Sequence, residues 1–347
     1  MPPQDQLSER ERRVLEAVVQ SYIETAEPAG SRRLGQEYGL GVSPATIRQT
    51  MNDLERKGYL FHPYTSAGRI PTDRAYRAYV DSMLRLRPPS SDVQQSLRAG
   101  LPRGPSAVED ILRRTAQILG VLTQELGVAV GPALDGVVLE RLELVQVSSD
   151  RLLLVFNLRS GVVRTIFVQV PGSLASASVE VVARILNERL AGYTLIEIRR
   201  SLADRLRDAA PPDEAGHHLL NIFIAQGEEI FGLADEPTQV MLGSAQPLAD
   251  QPEFTSSSER MRRLLHLTER RAPLQRALEG HREGALRVTI GTEHEDPDLA
   301  DFTLVTSSYR SGELSGVIGV LGPTRMPYDR IVSLVTHTSR MVEDLLG

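Results

Sequence analysis

One short segment, residues 43–56, carries side chains whose types and spacing suit contacts with the bases of DNA. An apolar stripe at positions i, i+4 and i+7 (Ile47, Met51 and Leu54) predicts a helix that packs one face inward. The opposite face carries amide and guanidinium groups, which bond adenine and guanine through paired hydrogen bonds, and small groups that contact the thymine methyl. The residues of this segment that we expect to contact DNA are Ser43, Ala45, Thr46, Arg48, Gln49, Asn52 and Arg56.

A helix that contacts bases needs a second helix and a turn to set it into the major groove. Residues 31–38 predict that second helix, and the glycines within residues 39–42 predict the turn. Ser43 followed by Pro44 is a favourable helix start, and Gly58 is a favourable helix end. The order of these signals predicts a helix-turn-helix.

Residues 59–71 are too short and too rich in turn residues for a helix, and they predict a small hairpin with residues 66–68 near its tip. This hairpin would be the wing of a winged helix-turn-helix. His62 and Arg69 would then lie near the DNA phosphates or in the minor groove. A fourth helix is expected from about residue 72 to residue 87.

The same pattern also fits a three-helix structural unit whose polar face is simply solvated. The turn, the helix cap, the polar face and the hairpin occur in the required order, which favours DNA binding. The formal net charge of −6 argues against a nucleic-acid partner, but residues 1–90 hold 13 Arg/Lys and only 11 Asp/Glu. The excess acidic charge therefore lies outside the first domain, and a local basic surface is compatible with the composition.

Other kinds of site find little support. The absence of cysteine excludes disulfides, thiolate zinc sites and a cysteine nucleophile. His217 and His218 are adjacent, so their side chains diverge on a helix, and no HExxH motif accompanies them. The glycines at 316, 319 and 322 do not have dinucleotide-site spacing, and no GxSxG nucleophile motif is present. We therefore expect no enzyme activity, no metal and no cofactor.

The location and the domain plan follow from composition. No apolar run reaches the roughly 20 residues of a membrane helix, and the first residues do not resemble a signal peptide, so a cytoplasmic protein is expected. The pattern predicts an α+β multidomain protein in which strands come early, helices lie between and strands return late. The expected parts are a winged helix-turn-helix (1–87), a linker (88–106), an α+β domain (107–199 and 284–347) and a mostly helical insertion (200–283).

Four stretches of the chain resemble the heat-inducible transcription repressor (HrcA) family. They are LSERERRVLEAVVQSYIETAEPAGSRRL near the start, VSPATIRQTMNDLERKGYL, TSAGRIPTDRAYRAYVD, and GVIGVLGPTRMPYDRIVSLV near the end. The resemblance therefore covers nearly the whole chain, and the Ser-Ala-Gly-Arg-Ile-Pro-Thr segment is its most specific part. Gln49 and Tyr64 differ from the residues usual in that family, and Gln49 lies on the predicted base-contacting face.

The resemblance implies a winged helix-turn-helix, a GAF-like domain and a dimerisation domain inserted into the GAF-like domain. It also implies repression of chaperone operons through an inverted-repeat operator (the CIRCE element), release on heat shock, and the GroE chaperonin as a partner that promotes the active repressor. Since GAF folds often hold small ligands, the alternative is a winged-helix regulator that senses a small molecule.

An inverted repeat requires two heads related by a two-fold axis, so we expect a homodimer. The insertion (200–283) is the predicted contact, because it is not needed to complete the sheet of the domain that it interrupts. The alternative is that its apolar faces pack inside one chain. The residues of those faces are Leu219, Leu220, Phe223 and Ile224, and Met261, Leu264 and Leu265.

Overall fold

The computed structural model describes residues 7–64, 67–101, 108–131, 136–159, 163–170, 172, 174–231, 240–281, 286–311 and 314–346. Helices and strands are mixed along the chain, which confirms the predicted α+β class. The chain forms two compact units, which are Met1–Ala129 with Val240–Ser308 and Val317–Val342, and Val130–Gln239 with Tyr309–Gly316 and Glu343–Gly347. None of the described helices is long and apolar enough to cross a membrane.

The first unit begins with four helices and a hairpin, which we call the head (residues 7–83). Its elements are α1 (Glu9–Thr25), α2 (Ser31–Glu37), α3 (Pro44–Arg56), β1 (Leu60–Phe61), β2 (Ile70–Pro71) and α4 (Asp73–Ser82). The two short strands are antiparallel, with Leu60 opposite Pro71. The hairpin expected over residues 59–71 is present, although Ser66 of its predicted tip lies outside the described residues. The fourth helix ends at Ser82 and is shorter than predicted.

The head folds around apolar stripes that the sequence spacing predicts. Val14, Leu15 and Val18 of α1 are at most 1% exposed and meet the stripe of α3. Ser8 has an extended backbone conformation and caps α1, because its hydroxyl accepts a hydrogen bond from the Glu11 backbone N–H. The turn after α3 needs a left-handed residue, and Gly58 supplies it with a φ of 77°.

The rest of the first unit, which we call the body, contains a five-stranded sheet in the order β7-β3-β10-β9-β8. Its strands are β3 (Leu126–Val130), β7 (Val240–Leu242), β8 (Arg287–Ile290), β9 (Phe302–Ser311) and β10 (Leu314–Pro323). Its helices are α5 (Ser91–Gly100), α6 (Val108–Thr123), α11 (Gln246–Ala249), α12 (Pro252–Thr255), α13 (Ser258–Glu269), α14 (Ala272–Glu279) and α15 (Tyr328–Leu346). The apolar core of the head continues into the body through Val305, Tyr328 and Val335.

The segment expected to be a linker (88–106) is helical over much of its length. Helix α5 occupies Ser91–Gly100, and its Leu97 is fully buried. Gly100 lies so close to Ile118 of α6 that a Cβ there would come within 2.5 Å of the isoleucine side chain. The turn residues between positions 88 and 90 therefore start a packed helix, and residues 102–106 lie outside the described part of the chain.

In its described residues, the second unit contains a three-stranded antiparallel sheet, β4-β5-β6, and four helices. Its elements are β4 (Leu139–Ser148), β5 (Arg151–Leu158), β6 (Val163–Gln169), α7 (Ser176–Leu190), α8 (Leu195–Leu206), α9 (Glu214–Ala225) and α10 (Gly227–Phe231). Every second residue of β5 is buried, as expected for a strand with one face in a core. Phe156 of β5 and Phe231 of α10 meet edge to face, with ring centroids 5.6 Å apart.

The two compact units do not follow the predicted domain boundaries. Strands β4 to β6 were expected in the α+β domain, but they form their own sheet and share a core with the helices of residues 176–231. Residues 240–281, expected in the insertion, belong to the first unit. The apolar alternation of β5 predicts a buried face but does not say which segment covers it, so the sequence pattern alone could not separate the two sheets.

Candidate nucleic-acid interface

Helix α3 is fixed by its cap and by its apolar stripe. The Ser43 hydroxyl accepts a hydrogen bond from the Thr46 backbone N–H at 3.2 Å, and Pro44 occupies the first helical position. Ile47, Met51 and Leu54 are at most 3% exposed. The predicted inward face of the helix is therefore confirmed, and its opposite face is turned away from the core.

The outward face of α3 presents most of the predicted DNA contacts. Ala45, Arg48 and Gln49 are exposed, and Thr46 is half-buried. Within the described residues, the guanidinium of Arg48 makes no hydrogen bond and no ion pair. An exposed guanidinium without a protein partner keeps all its donors for an external acceptor such as guanine or a phosphate.

Near its C-terminal end, the outward face is partly engaged in contacts of its own. The Gln49 Nε2 donates to the Asp53 Oδ1 at 3.3 Å, and Arg56 pairs with the same carboxylate. The Arg56 side chain is nevertheless 74% exposed. This exposed ion pair is weak, so a phosphate can compete for Arg56.

Arg69 occupies a different place from the predicted one. The residue is only 8% exposed, and its guanidinium lies 2.8 Å from Glu55 Oε2. It also donates to Asn52 Oδ1 at 2.5 Å. Because its charge is paired and covered, Arg69 ties the hairpin to α3 and does not present a free cation to phosphates. The sequence could not indicate this, since both partners lie at least 14 positions away along the chain.

His62 lies on the hairpin as predicted, and its Nδ1 is 2.9 Å from Glu55 Oε1. The Glu55 carboxylate thus joins His62 and Arg69, one from each side of the hairpin. The structure also places two aromatic side chains outward on this hairpin that were not among the predicted contacts. They are Phe61, which is 44% exposed, and Tyr64, which is 64% exposed. Large aromatic side chains in a turn-rich segment were the available signal for them.

The head is held on the body by polar contacts of α4. Arg77 donates from Nε to Glu293 Oε1 at 2.7 Å, and the Thr292 N–H donates to Asp73 at 2.9 Å. Burial raises the pKa of the Glu293 carboxyl, but the bonds from Arg77 and the Ile290 N–H outweigh it and hold that pKa below its usual value. The head therefore has a defined attachment to the turn at residues 291–293.

Aromatic and ionic contacts extend this attachment. The Tyr76 ring of α4 lies 5.8 Å from the ring of Tyr328 on α15. Arg325 donates to the carbonyl of Ile23, at the end of α1, at 2.8 Å. The same guanidinium forms a buried two-bond pair with Glu253 of α12.

Among the described residues, no group of three His, Asp or Glu side chains is placed to hold a metal ion.

Comparison with known proteins gives one consistent family. Residues 109–332 match the family model described as HrcA protein C terminal domain. The heat-inducible transcription repressor HrcA of Chlorobium phaeovibrioides is 36% identical over 349 residues, with 96% of this chain and 95% of that protein covered. The protein of the same name from Chlorobaculum tepidum is 34% identical over 355 residues, with 98% of each chain covered.

A solved structure shares the fold. It is described as the crystal structure of a hypothetical protein at 2.2 Å resolution, and it superposes with a TM-score of 0.63. The likeness covers 98% of this chain and 99% of that one at 24% sequence identity. This supports the arrangement of helices and strands along the whole chain.

Proposed function

The chain belongs to the HrcA family of heat-inducible transcription repressors, and we propose that it represses by binding an inverted-repeat (CIRCE-type) operator as a homodimer. As a member of that family it is a heat-shock transcription repressor, and the family consists of repressors, not enzymes. The head would be the winged helix-turn-helix, with α3 in the major groove and the hairpin as its wing. The body would be the GAF-like domain, and the second unit the inserted dimerisation domain.

One observation supports the DNA-binding proposal most. Helix α3 is capped, buried on one side and exposed on the other, and the exposed side carries Arg48 and Gln49 next to a hairpin. Residues near the start of a recognition helix reach deepest into the groove. Arg48 would therefore read guanine or hold a phosphate, and Gln49 would read a base edge.

Replacing Arg48 or Gln49 by alanine should weaken operator binding by about 1–3 kcal/mol, with a loss of preference at particular base pairs. The measurement is a competition binding assay on an operator selected by the parent protein from a randomised DNA pool. The matched control is Arg114→Ala, which removes an exposed arginine from α6 in the body. If folded Arg48 and Gln49 variants keep the affinity and the base preference of the parent, α3 is not the recognition helix.

For the homodimer we propose a surface other than the faces predicted from the sequence. Leu219, Phe223 and Leu264 are at most 1% exposed within one chain, so they are not open to a partner, whereas Leu265 is 53% exposed but stands apart from a larger exposed apolar patch. The outward face of the β4-β5-β6 sheet instead carries an exposed apolar patch among polar side chains. Its row of neighbouring side chains runs from Val145 through Leu153 to Phe167 on the three strands.

A second copy of the chain is the proposed occupant of this sheet face. An inverted repeat presents two half-sites related by a two-fold axis, so the protein that binds it has a two-fold contact of its own. Val145 is 46% exposed and Phe167 is 59% exposed, which is unusual for clustered side chains of this size. A two-fold contact would bury Val145 and Phe167 of both copies in one interface.

Phe167→Asp should convert the homodimer to monomers, because two carboxylates would be buried at one apolar contact, with a cost of at least about 2 kcal/mol for each. Sedimentation or light scattering measures the mass. Val121→Asp is the matched control, since Val121 is a valine of α6 that is 65% exposed. A Phe167→Asp protein that is folded and dimeric at low micromolar concentration would contradict the assignment of this face.

We also propose that the repressor depends on the GroE chaperonin and loses activity on heat shock. The support is the family resemblance together with the small stability of protein domains, about 5–15 kcal/mol, which a modest rise in temperature can offset. The operator assay would be run with and without chaperonin and ATP, before and after a heat pulse. An equal active fraction in all four conditions would exclude the chaperonin from this role.

A further inference from the structure

We propose that Arg69 is a positioning residue that turns the amide of Asn52 so that only its NH2 group faces DNA, which makes Asn52 select guanine. This inference rests on the proposed function, since it requires α3 to lie in the major groove. It differs from the sequence expectation in two ways. Arg69 acts through Asn52 and not on a phosphate, and Asn52 does not form the paired bonds with adenine that its residue type suggests.

Arg69 is held at both ends. Its backbone exchanges two hydrogen bonds with Ala29, at 2.8 and 3.0 Å, which fixes the hairpin to the segment before α2. Its guanidinium meets Glu55 and Asn52 on α3 and is largely covered. A side chain anchored at its backbone and at its charged group has little freedom to reorient.

The orientation of the Asn52 amide follows from the chemistry of its partner. A guanidinium has only donors, so the Asn52 atom that faces Arg69 must be the oxygen. Asn52 is half-buried, and its oxygen bonds the guanidinium of Arg69, a residue that is only 8% exposed. The NH2 group lies on the other side of the planar amide and is the part left to an external partner.

A donor-only group recognises a different base edge from a complete amide. The paired bonds to adenine need the amide oxygen to accept from N6 and the NH2 to donate to N7. The Asn52 oxygen keeps a second lone pair, but it faces the covered Arg69 guanidinium, so the NH2 group is the part left to a base. Its two N–H donors match the adjacent acceptors N7 and O6 of guanine. Cytosine presents a donor at N4 and would be disfavoured at the same position.

Because Glu55 pairs with Arg69, the proposed role of Arg69 does not depend on attraction between its charge and the DNA phosphates. Its carboxylate lies 2.8 Å from Arg69 and 2.9 Å from His62 Nδ1. A buried guanidinium that is paired in this way adds little field outside the protein. Loss of Arg69 should therefore change base preference and leave the salt dependence of binding nearly unchanged, whereas loss of a phosphate contact lowers the slope by about one unit.

The experiment uses the full chain and an operator selected by the parent protein from randomised DNA, followed by every single base-pair substitution of one half-site. Asn52→Asp keeps the Arg69 contact but replaces the outward NH2 by an acceptor oxygen. We expect preference at one position to move from guanine to cytosine or adenine, by about tenfold. Arg69→Met frees the amide to rotate, so the guanine preference should fall and adenine should gain at that same position.

Arg74→Met is the matched control, because Arg74 lies in the head but donates to the Lys57 carbonyl, at 2.7 Å, and not to Asn52. It should leave all base preferences unchanged. If Asn52→Asp loses operator affinity altogether, Asn52→Leu decides, because it must lose the guanine preference at one position alone. The inference is overturned if these variants keep the parent preference at every position, or lose it evenly at all of them. Failure of the proposed function is a separate result, in which the parent selects no sequence.

Discussion

Arg325→Met should destabilise the protein by about 3–5 kcal/mol, the cost of leaving a buried carboxylate without its partner. The side chains of Arg325 and Glu253 are only 14% and 13% exposed, so water cannot replace the lost bonds. The same substitution removes the donor to the Ile23 carbonyl at the end of α1. We therefore expect Arg325→Met to weaken the attachment of the head as well as the packing of the body.

Chemical denaturation of the parent and the variant measures this difference. A double variant, Arg325→Met with Glu253→Met, should recover most of the loss, because an apolar pair of similar volume often replaces a buried ion pair at little cost. The control is Arg276→Met, which breaks a surface pair with Asp296 whose arginine is 65% exposed. It should cost no more than about 1 kcal/mol. A single Arg325 variant as stable as the control would show that the buried pair is not a stabilising contact.

Local signals predicted the head well. The cap at Ser43, the stripe from Ile47 to Leu54 and the end at Gly58 act over a few residues, so their effect can be read from spacing alone. The mixed α+β class is likewise confirmed, because alternation and helical periodicity are properties of single segments.

Contacts between distant segments could not be predicted in the same way. The pairing of Arg69 with Glu55 and Asn52 turns an expected phosphate contact into an internal one. The strands at residues 139–169 were expected in the α+β domain, and only their partners in space separate them from it. In both cases the sequence shows the residue types, but the fold sets their partners.

Glu125, at the start of β3, should make the stability of the protein fall as the pH rises toward 8. Burial raises the pKa of this carboxyl to about 8, and the nearby Glu253 adds to the shift, whereas Gln251 and Arg325 oppose it. The residue is 2% exposed, and its Oε2 accepts a hydrogen bond from Gln251 Nε2 at 3.0 Å. Desolvation thus favours the neutral acid in the folded state.

The direction of this pH effect depends on whether the folded or the unfolded state binds the proton at Glu125. Between the unfolded pKa of 4.5 and the folded value of about 8, the folded protein is protonated at Glu125 and the unfolded chain is not. In that window each added pH unit lowers the free energy of unfolding by about 1.4 kcal/mol from this group. The stabilisation that protonated Glu125 gives the folded state is complete below the unfolded pKa, and it is lost by the time the pH reaches the folded pKa.

Glu125→Gln replaces the carboxyl by a neutral group of the same shape, so the variant should be more stable than the parent by on the order of 3 kcal/mol near pH 7.5. The gain should shrink as the pH falls toward 5, because the unfolded parent then regains its proton. Denaturation of both proteins between pH 5 and pH 9 measures the difference, with Glu180→Gln, an exposed carboxyl on α7, as the control. Because other groups titrate equally in both proteins, only the difference between them reports on Glu125. Parallel stability curves for the variant and the parent across this range would show that Glu125 is ionised in the folded protein.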